Sequence, residues 1–273
     1  MSTLTAKRAR LAELLCENAP LVIAYSGGVD SAFLLAEAHR LLGGKVLGVI
    51  ADSPSLPRAA LAEALAVARG FGAAVEVVQT LELENPDYSA NPPNRCYFCK
   101  AELFQRLDHL ALSRGYRAIA YGENADDMKH ERPGRAAAAQ FKIIAPLRDA
   151  GLAKAEIRAL SRELGLPTAD APAQPCLSSR IPWGTPVTPD ALAMVERGEA
   201  HLKTLGFRVF RVRHHDDLAR VEIARDEMPR ALEPEIATAI VRELKAAGYK
   251  FVTLDLQGYR MGSLNEGLFM RPA

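Results

Sequence analysis

The stretch Ser26-Gly27-Gly28-Val29-Asp30-Ser31 decides the fold. Leu21-Val22-Ile23-Ala24-Tyr25 enters it as a buried strand, and Ser31 to Leu42 leaves it with helical periodicity. Two consecutive glycines let the backbone turn sharply and approach a ligand closely. Successive N–H groups at such a turn, backed by a helix N-terminus, form an anion cradle. Ser26 and Ser31 add hydroxyl donors, and Asp30 is placed to hold Mg²⁺ or orient the loop. No Gly-Lys-Ser/Thr follows, so this is not the common kinase-type phosphate loop. A plain glycine turn with a serine cap would carry the same letters. The strand before and the helix after favour a phosphate site.

Working outward, the same alternation continues. Val46 to Ala51, Val75 to Thr80 and Ala118 to Tyr121 read as strands, and Leu56 to Arg69 and Lys100 to Arg114 as helices. This pattern predicts an α/β fold, a parallel sheet covered by helices on both faces. Glu84 to Asn94, with Pro86, Pro92 and Pro93, reads as a long loop. Pro167 to Pro189 is proline-marked and reads as a link between two domains, 1–180 and 181–273. The second reads as a smaller α+β domain. Val209 to Arg213 and Leu218 to Ala224 are its paired strands, around His214-His215-Asp216-Asp217, followed by a helix from Pro234 to Ala247 and a strand from Phe251 to Leu256.

The chain has 273 residues, is 49% hydrophobic and carries a formal charge of +1, which argues against a nucleic-acid partner. No apolar run suits a membrane span, and the N-terminus reads as an amphipathic helix with Leu4, Leu11, Leu14 and Leu15 on one face, with Cys16 packed beside them. The absence of a leader pattern there predicts the cytoplasm. Four cysteines, Cys16, Cys96, Cys99 and Cys176, are too few for a disulfide scaffold in a chain this long. Cys96-Tyr97-Phe98-Cys99 alone leaves zinc, an iron–sulfur cluster, redox exchange and chance open. Adding Cys176 gives three thiols, enough for a [4Fe–4S] cluster with one iron open. Cys176, in a polar loop near Arg180, is also a candidate reactive thiol. Gly122-Glu123-Asn124-Ala125-Asp126-Asp127 closes a later strand, and its carboxylates suit a hard cation, although a capping turn would read the same way.

The loop resembles the PP-loop of the ATP pyrophosphatases, which include GMP synthetase, NAD synthetase and tRNA-thiolating enzymes. Further blocks narrow the resemblance: Asn94-Arg95-Cys96-Tyr97-Phe98-Cys99-Lys100, Asn124-Ala125-Asp126-Asp127, Arg132-Pro133-Gly134 and Pro175-Cys176-Leu177-Ser178-Ser179-Arg180-Ile181-Pro182. Glu196-Arg197-Gly198-Glu199, Phe210-Arg211-Val212-Arg213-His214 and Asp255-Leu256-Gln257-Gly258-Tyr259-Arg260 follow. Together they resemble the LarE family of ATP-dependent sulfur transferases, over nearly the whole chain. The resemblance implies an adenine nucleotide alpha hydrolase-like domain and adenylation of pyridinium-3,5-biscarboxylic acid mononucleotide by ATP. Sulfur then displaces AMP to give a thiocarboxylate for the nickel-pincer nucleotide.

The resemblance also assigns residues. Ser26, Gly27, Gly28, Asp30, Ser31, Asp52, Gly122 and Asn124 fall at the nucleotide site, with Mg²⁺ at Asp30 and Asp127. Arg180, Arg211 and Arg213 fall at substrate-binding positions, and Glu199 and Glu222 at a second metal site. Surface charge is the plainer reading of the last four. Glu123 stands where a threonine is common in related enzymes. In one branch the cysteine matching Cys176 gives up its own sulfur; in the other, cysteines matching Cys96, Cys99 and Cys176 hold a [4Fe–4S] cluster. All three being present favours the cluster. A homo-oligomer is implied, a hexamer being the size suggested. A tRNA thiolase and a non-catalytic nucleotide-binding regulator are the competing readings.

Overall fold

In a computed structural model, residues 3–129, 133–172 and 175–265 are described. The chain divides into two compact units, Met1–Asn85 with Asn94–Gln174, and Pro86–Pro93 with Pro175–Ala273.

The first unit runs α1 (Leu4–Glu17), β1 (Leu21–Ala24), α2 (Val29–Leu42), β2 (Val46–Asp52), α3 (Arg58–Gly70) and β3 (Val75–Gln79). After residues 86–93 it resumes with α5 (Arg95–Arg114), β4 (Ala118–Tyr121), α6 (Pro133–Gln140), α7 (Pro146–Asp149) and α8 (Lys154–Glu163). Among the described residues its four strands form an all-parallel sheet in the order β3-β2-β1-β4. Alternate residues of each strand feed opposite cores, as the pleat requires. Leu21, Ile23, Val46 and Ile50 pack with Leu11, Leu15, Phe33 and Leu160 on one face. Val22, Ala24, Leu47 and Val49 pack with Phe104, Leu107 and Ala138 on the other. Burial on both faces explains why these strands read as continuous apolar runs.

The second unit contains α4 (Pro86–Ser89), α9 (Pro189–Thr204), β5 (Phe210–His215), β6 (Leu218–Ile223), α10 (Met228–Ala231), α11 (Pro234–Ala246) and β7 (Phe251–Leu254). Its sheet order is β5-β6-β7, antiparallel then parallel. Val212, Val221 and Ile223 face a core with Leu202, Ile240 and Leu244. The stretch read as a loop from Glu84 to Asn94 contains the helical turn α4. Asn91 ties it down, its amide donating to the carbonyls of Pro182 and Thr185 at 2.8 Å each.

Three expectations change. Helix α5 begins at Arg95 rather than Lys100, because its apolar stripe runs back from Phe104 through Ala101 to Tyr97. His214 and His215 end strand β5, and the turn is left to Asp216-Asp217, with Asp216 at φ +53°. Cys16 is exposed. It follows Leu15 by one residue, about 100° around the helix, so it falls off the stripe that buries Leu11 and Leu15. Among the described residues no helix is long and apolar enough to cross a membrane.

One buried charge ties the first unit together. Glu37 on α2 is fully buried and bound by Arg8 of α1 at 2.9 and 3.2 Å and by Arg40 at 2.9 Å twice. Burial alone would raise its carboxyl, but Arg40 and Arg8 outweigh burial and hold it down at about 2. A carboxyl lowered in the folded state contributes stability above its unfolded value, here 4.5, and loses it as pH falls. Glu37→Gln should therefore cost about 2–3 kcal/mol near neutrality, the partners being partly exposed, and the loss should shrink below pH about 4.5. Urea titrations of both proteins over a pH series check this.

Candidate functional site

Strand order β3-β2-β1-β4 sends the connections after β1 and β4 in opposite directions, opening a crevice at their carboxyl ends. The cleft lies there, open to solvent, with about 720 Å³ of empty space. Ser26, Gly28, Asp30 and Ser31 line it from the β1 side, Gly122, Glu123 and Asp127 from the β4 side, and Lys100, Gly134 and Arg135 from α5 and α6. Gly27 has φ +76°, and a Cβ on it would lie 2.6 Å from the Cβ of Ala64. Gly122 is pressed against the loop: a Cβ there would lie 2.8 Å from the Ser31 amide nitrogen. The loop is stitched internally, with the Ser26 amide donating to Ser31 Oγ at 3.2 Å and Ser31 Oγ donating to the Gly28 carbonyl at 3.1 Å.

The carboxylates differ in how they are satisfied. Asp30 Oδ2 accepts from Lys154 Nζ at 2.6 Å, whereas its Oδ1 is buried without a hydrogen-bond partner among the described residues. Burial raises the Asp30 carboxyl above the usual aspartate range and Asp127 adds to the rise, while Lys154 and, more weakly, the Asn124 side chain offset only part of it. A buried orphan oxygen next to a second carboxylate is the donor set a hard divalent cation takes. Asn124 caps the 3₁₀ turn Ala125–Lys129, its Oδ1 accepting from the Asp126 amide at 2.9 Å, so this segment is a capped turn as well as a cleft wall. Glu123 is buried and bound by Arg135 at 2.9 Å and Arg148 at 2.8 Å. Burial opposes its charge, yet Tyr121, Arg135 and Arg148 hold its carboxyl below the usual glutamate range. Asp52 does not line the cleft; it is paired with Arg58 and accepts from Gln79 at 2.8 Å. Glu123 and Lys154 carry no sequence cue for their partners, while Arg135 stands just beyond the Arg132-Pro133-Gly134 block, of which Arg132 lies outside the described residues.

The second unit carries the remaining candidates other than Cys96 and Cys99. Cys176 precedes a 3₁₀ turn, Leu177–Arg180, and its carbonyl accepts from the Ser179 amide and hydroxyl and from Arg180 at 2.7–3.0 Å. Arg180 is itself buried and bidentate to Glu199, at 2.9 and 2.7 Å. Arg211 and Arg213 alternate on β5 opposite Glu222 and Arg220 on β6, so all four share the sheet face away from Val212 and Val221. Arg213 donates to Glu222 at 2.7 Å, to Ser263 at 3.0 Å and to the Ser179 carbonyl at 3.0 Å. Arg211 lies over the Tyr259 ring at 5.1 Å, and burial with Arg180 nearby lowers its pKa. Glu199 and Glu222 are thus held by guanidiniums. Cys96 and Cys99 sit about one turn apart at the start of α5, in the first unit. All four cysteines are thiols, not disulfides, and among the described residues no three His, Cys, Asp or Glu side chains converge as a preformed metal cage.

Fold and site together define an α/β protein with a glycine-loop cleft at the switch point of a parallel sheet. No family model matches the chain. It is 34% identical, over 98% of its length and 97% of the relative's, to the pyridinium-3,5-bisthiocarboxylic acid mononucleotide synthase of Lactiplantibacillus plantarum. It is 42% identical to an uncharacterised protein of Synechocystis, over 97% of this chain and 99% of that one, and 28% identical to one of Methanocaldococcus jannaschii, over 89% and 92%. The chain belongs to the family of that synthase, LarE.

The contact between the two strand ends yields a test. Gly122→Ala should cost about 1–3 kcal/mol through overpacking against backbone that cannot swing away. Gly165→Ala, at a φ of +67° with nothing within 4 Å of its Cβ, should cost less, since it adds strain without a clash. Denaturant titration of the two variants separates them.

Proposed function

We propose that the chain is an ATP-dependent sulfur transferase acting on pyridinium-3,5-biscarboxylic acid mononucleotide, on the route to the nickel-pincer nucleotide. The observation that carries the nucleotide half is the cleft at the strand ends, where a glycine loop, a helix N-terminus and the orphan Oδ1 of Asp30 meet. End-to-end likeness to the synthase supports the substrate half.

In this reading the amides opening α2 and the Ser26 hydroxyl bind the phosphate chain of ATP, and Ser31 would have to turn its proton away from the Gly28 carbonyl to join them. Asp30 and Asp127 are the oxygen donors for Mg²⁺, which would neutralise phosphate charge when bound. The substrate carboxylate attacks the α-phosphate and pyrophosphate leaves. Sulfur then attacks the acyl-adenylate, AMP leaves, and a thiocarboxylate forms. Arg211 and Arg213 share a face suited to the substrate phosphate, although Arg213 is already tied to Glu222. Glu199 and Glu222 would have to release their arginines to take a metal, so no step is routed through one. Cys96, Cys99 and Cys176 supply three thiolates, the donor set of a [4Fe–4S] cluster with one open iron, and a bound cluster would supply the sulfide. Without a cluster, Cys176 itself is the donor and is left as dehydroalanine. The clamp on the Cys176 carbonyl would hold that residue in place in either route.

Pyrophosphate release that requires the pyridinium dicarboxylate is the expected result. Release without it, or dependent on tRNA instead, overturns the proposal. Anaerobic purification with iron and sulfide analysis, then mass spectrometry after one turnover, decides the sulfur source. Bound iron with unchanged protein mass supports the cluster; a protein lighter by about 34 Da, the mass of H₂S, and free of iron selects Cys176.

A further inference from the structure

We propose that Glu123 and Arg135 form a phosphate-positioning pair on the cleft wall, in which buried Glu123 fixes the guanidinium of Arg135 against the phosphate chain of the nucleotide. This rests on the nucleotide reading of the cleft. Both residues line it. Glu123 is 4% exposed, with one oxygen bound to Arg135 Nε at 2.9 Å and the other to Arg148 Nη1 at 2.8 Å. Arg148 also pairs with Asp149 at 2.8 Å, so its charge is already met on the side away from Arg135. A single arginine would have met the need of a buried carboxylate for a charged partner.

Arg135 is anchored a second time. Its Nη2 donates to the Asp127 carbonyl at 2.6 Å. Two anchors, one on Nε and one on Nη2, set the plane of the guanidinium before any ligand arrives. A pre-set fork loses less side-chain entropy on meeting an anion than a loose one. The same hydrogen bond joins Arg135 to the turn that carries the Asp127 carboxylate, so the cationic and the metal-binding walls are fixed to each other. Arg148 holds the other oxygen of Glu123 but does not line the cleft. Its part is to keep Glu123 ionised and still, making Glu123 a positioning residue and Arg135 the contact.

Titration calorimetry of the full chain with magnesium pyrophosphate, and separately with MgATP, tests the pair. Arg135→Met should weaken both by about 10–100-fold, the range of a lost charge-assisted hydrogen bond. Arg135→Lys should recover only part of the loss. Glu123→Gln is the sharper variant, because it adds a positive charge to the wall. Charge alone would then tighten binding, whereas loss of positioning weakens it by about tenfold. Arg148→Met breaks the same buried cluster off the cleft and should weaken binding less than Arg135→Met. Thermal melts verify folding, and Arg135→Met, a change at the partly exposed wall, keeps the test open if Glu123→Gln misfolds. Unchanged binding in Arg135→Met, tighter or unchanged binding in folded Glu123→Gln, or equal losses in Arg148→Met and Arg135→Met would each overturn the pair while leaving the nucleotide site intact. Failure of the unsubstituted chain to bind either probe overturns the nucleotide reading and the pair with it.

Discussion

The contact on which the first unit turns is the approach of Gly122 to the backbone at Ser31, so close that even a methyl carbon would lie 2.8 Å from the amide nitrogen. It joins the carboxyl end of β4 to the first turn of α2. Parallel pairing of β1 with β4 brings the two ends level, Ala24 opposite Tyr121, and the missing side chain lets them close. The crevice expected beyond a strand-order reversal becomes a walled cleft because of this approach. Gly27 plays the same part on the other side of the loop, pressed on Ala64 of α3 with φ +76°.

Two buried acids and the half-buried Asp30 show how differently one kind of charge can be satisfied around this frame. Glu37 is surrounded by Arg8 and Arg40, and both of its oxygens are saturated. That arrangement holds helices together and offers nothing to a ligand. Glu123 also takes two arginines, but one of them stands on the cleft wall. Asp30 has one lysine and one orphan oxygen, and burial has raised its carboxyl rather than lowered it. An unsatisfied buried acceptor costs about 1–3 kcal/mol, so the orphan oxygen of Asp30 is the least satisfied of the three acids.

The central strands β1 and β2 were legible in the sequence because burial on both faces demands unbroken apolar runs, and Leu21 to Ala24 and Val46 to Ile50 obey. The loop was legible because its glycines lie between such a strand and a helix. The start of α5 was hidden by its own cysteines, since Cys96 and Cys99 draw the reading toward chemistry and away from the helical stripe of Tyr97, Ala101 and Phe104. The partners of Glu123, Arg180 and Arg213 were not legible. Periodicity puts Arg211 and Arg213 on one face, but only the β5–β6 register puts Glu222 opposite Arg211 and within reach of Arg213. The tie from Asn91 to Pro182 and Thr185, across some ninety residues, leaves no local trace either.

Lys154 has a further consequence. Its backbone amide donates to Asp126 Oδ2 and its ammonium to Asp30 Oδ2, a partner 124 positions earlier in the chain. On the ribosome, the glycine loop is therefore made long before the residues that close around it. Synthesis runs from the amino end, and contacts of such separation form late. Until α8 has emerged, the nascent chain carries the loop and its facing strand end without the lysine that ties Asp30 and Asp126 together. The cleft is thus completed only after most of the first unit has been translated, which ties its assembly to that of the whole unit.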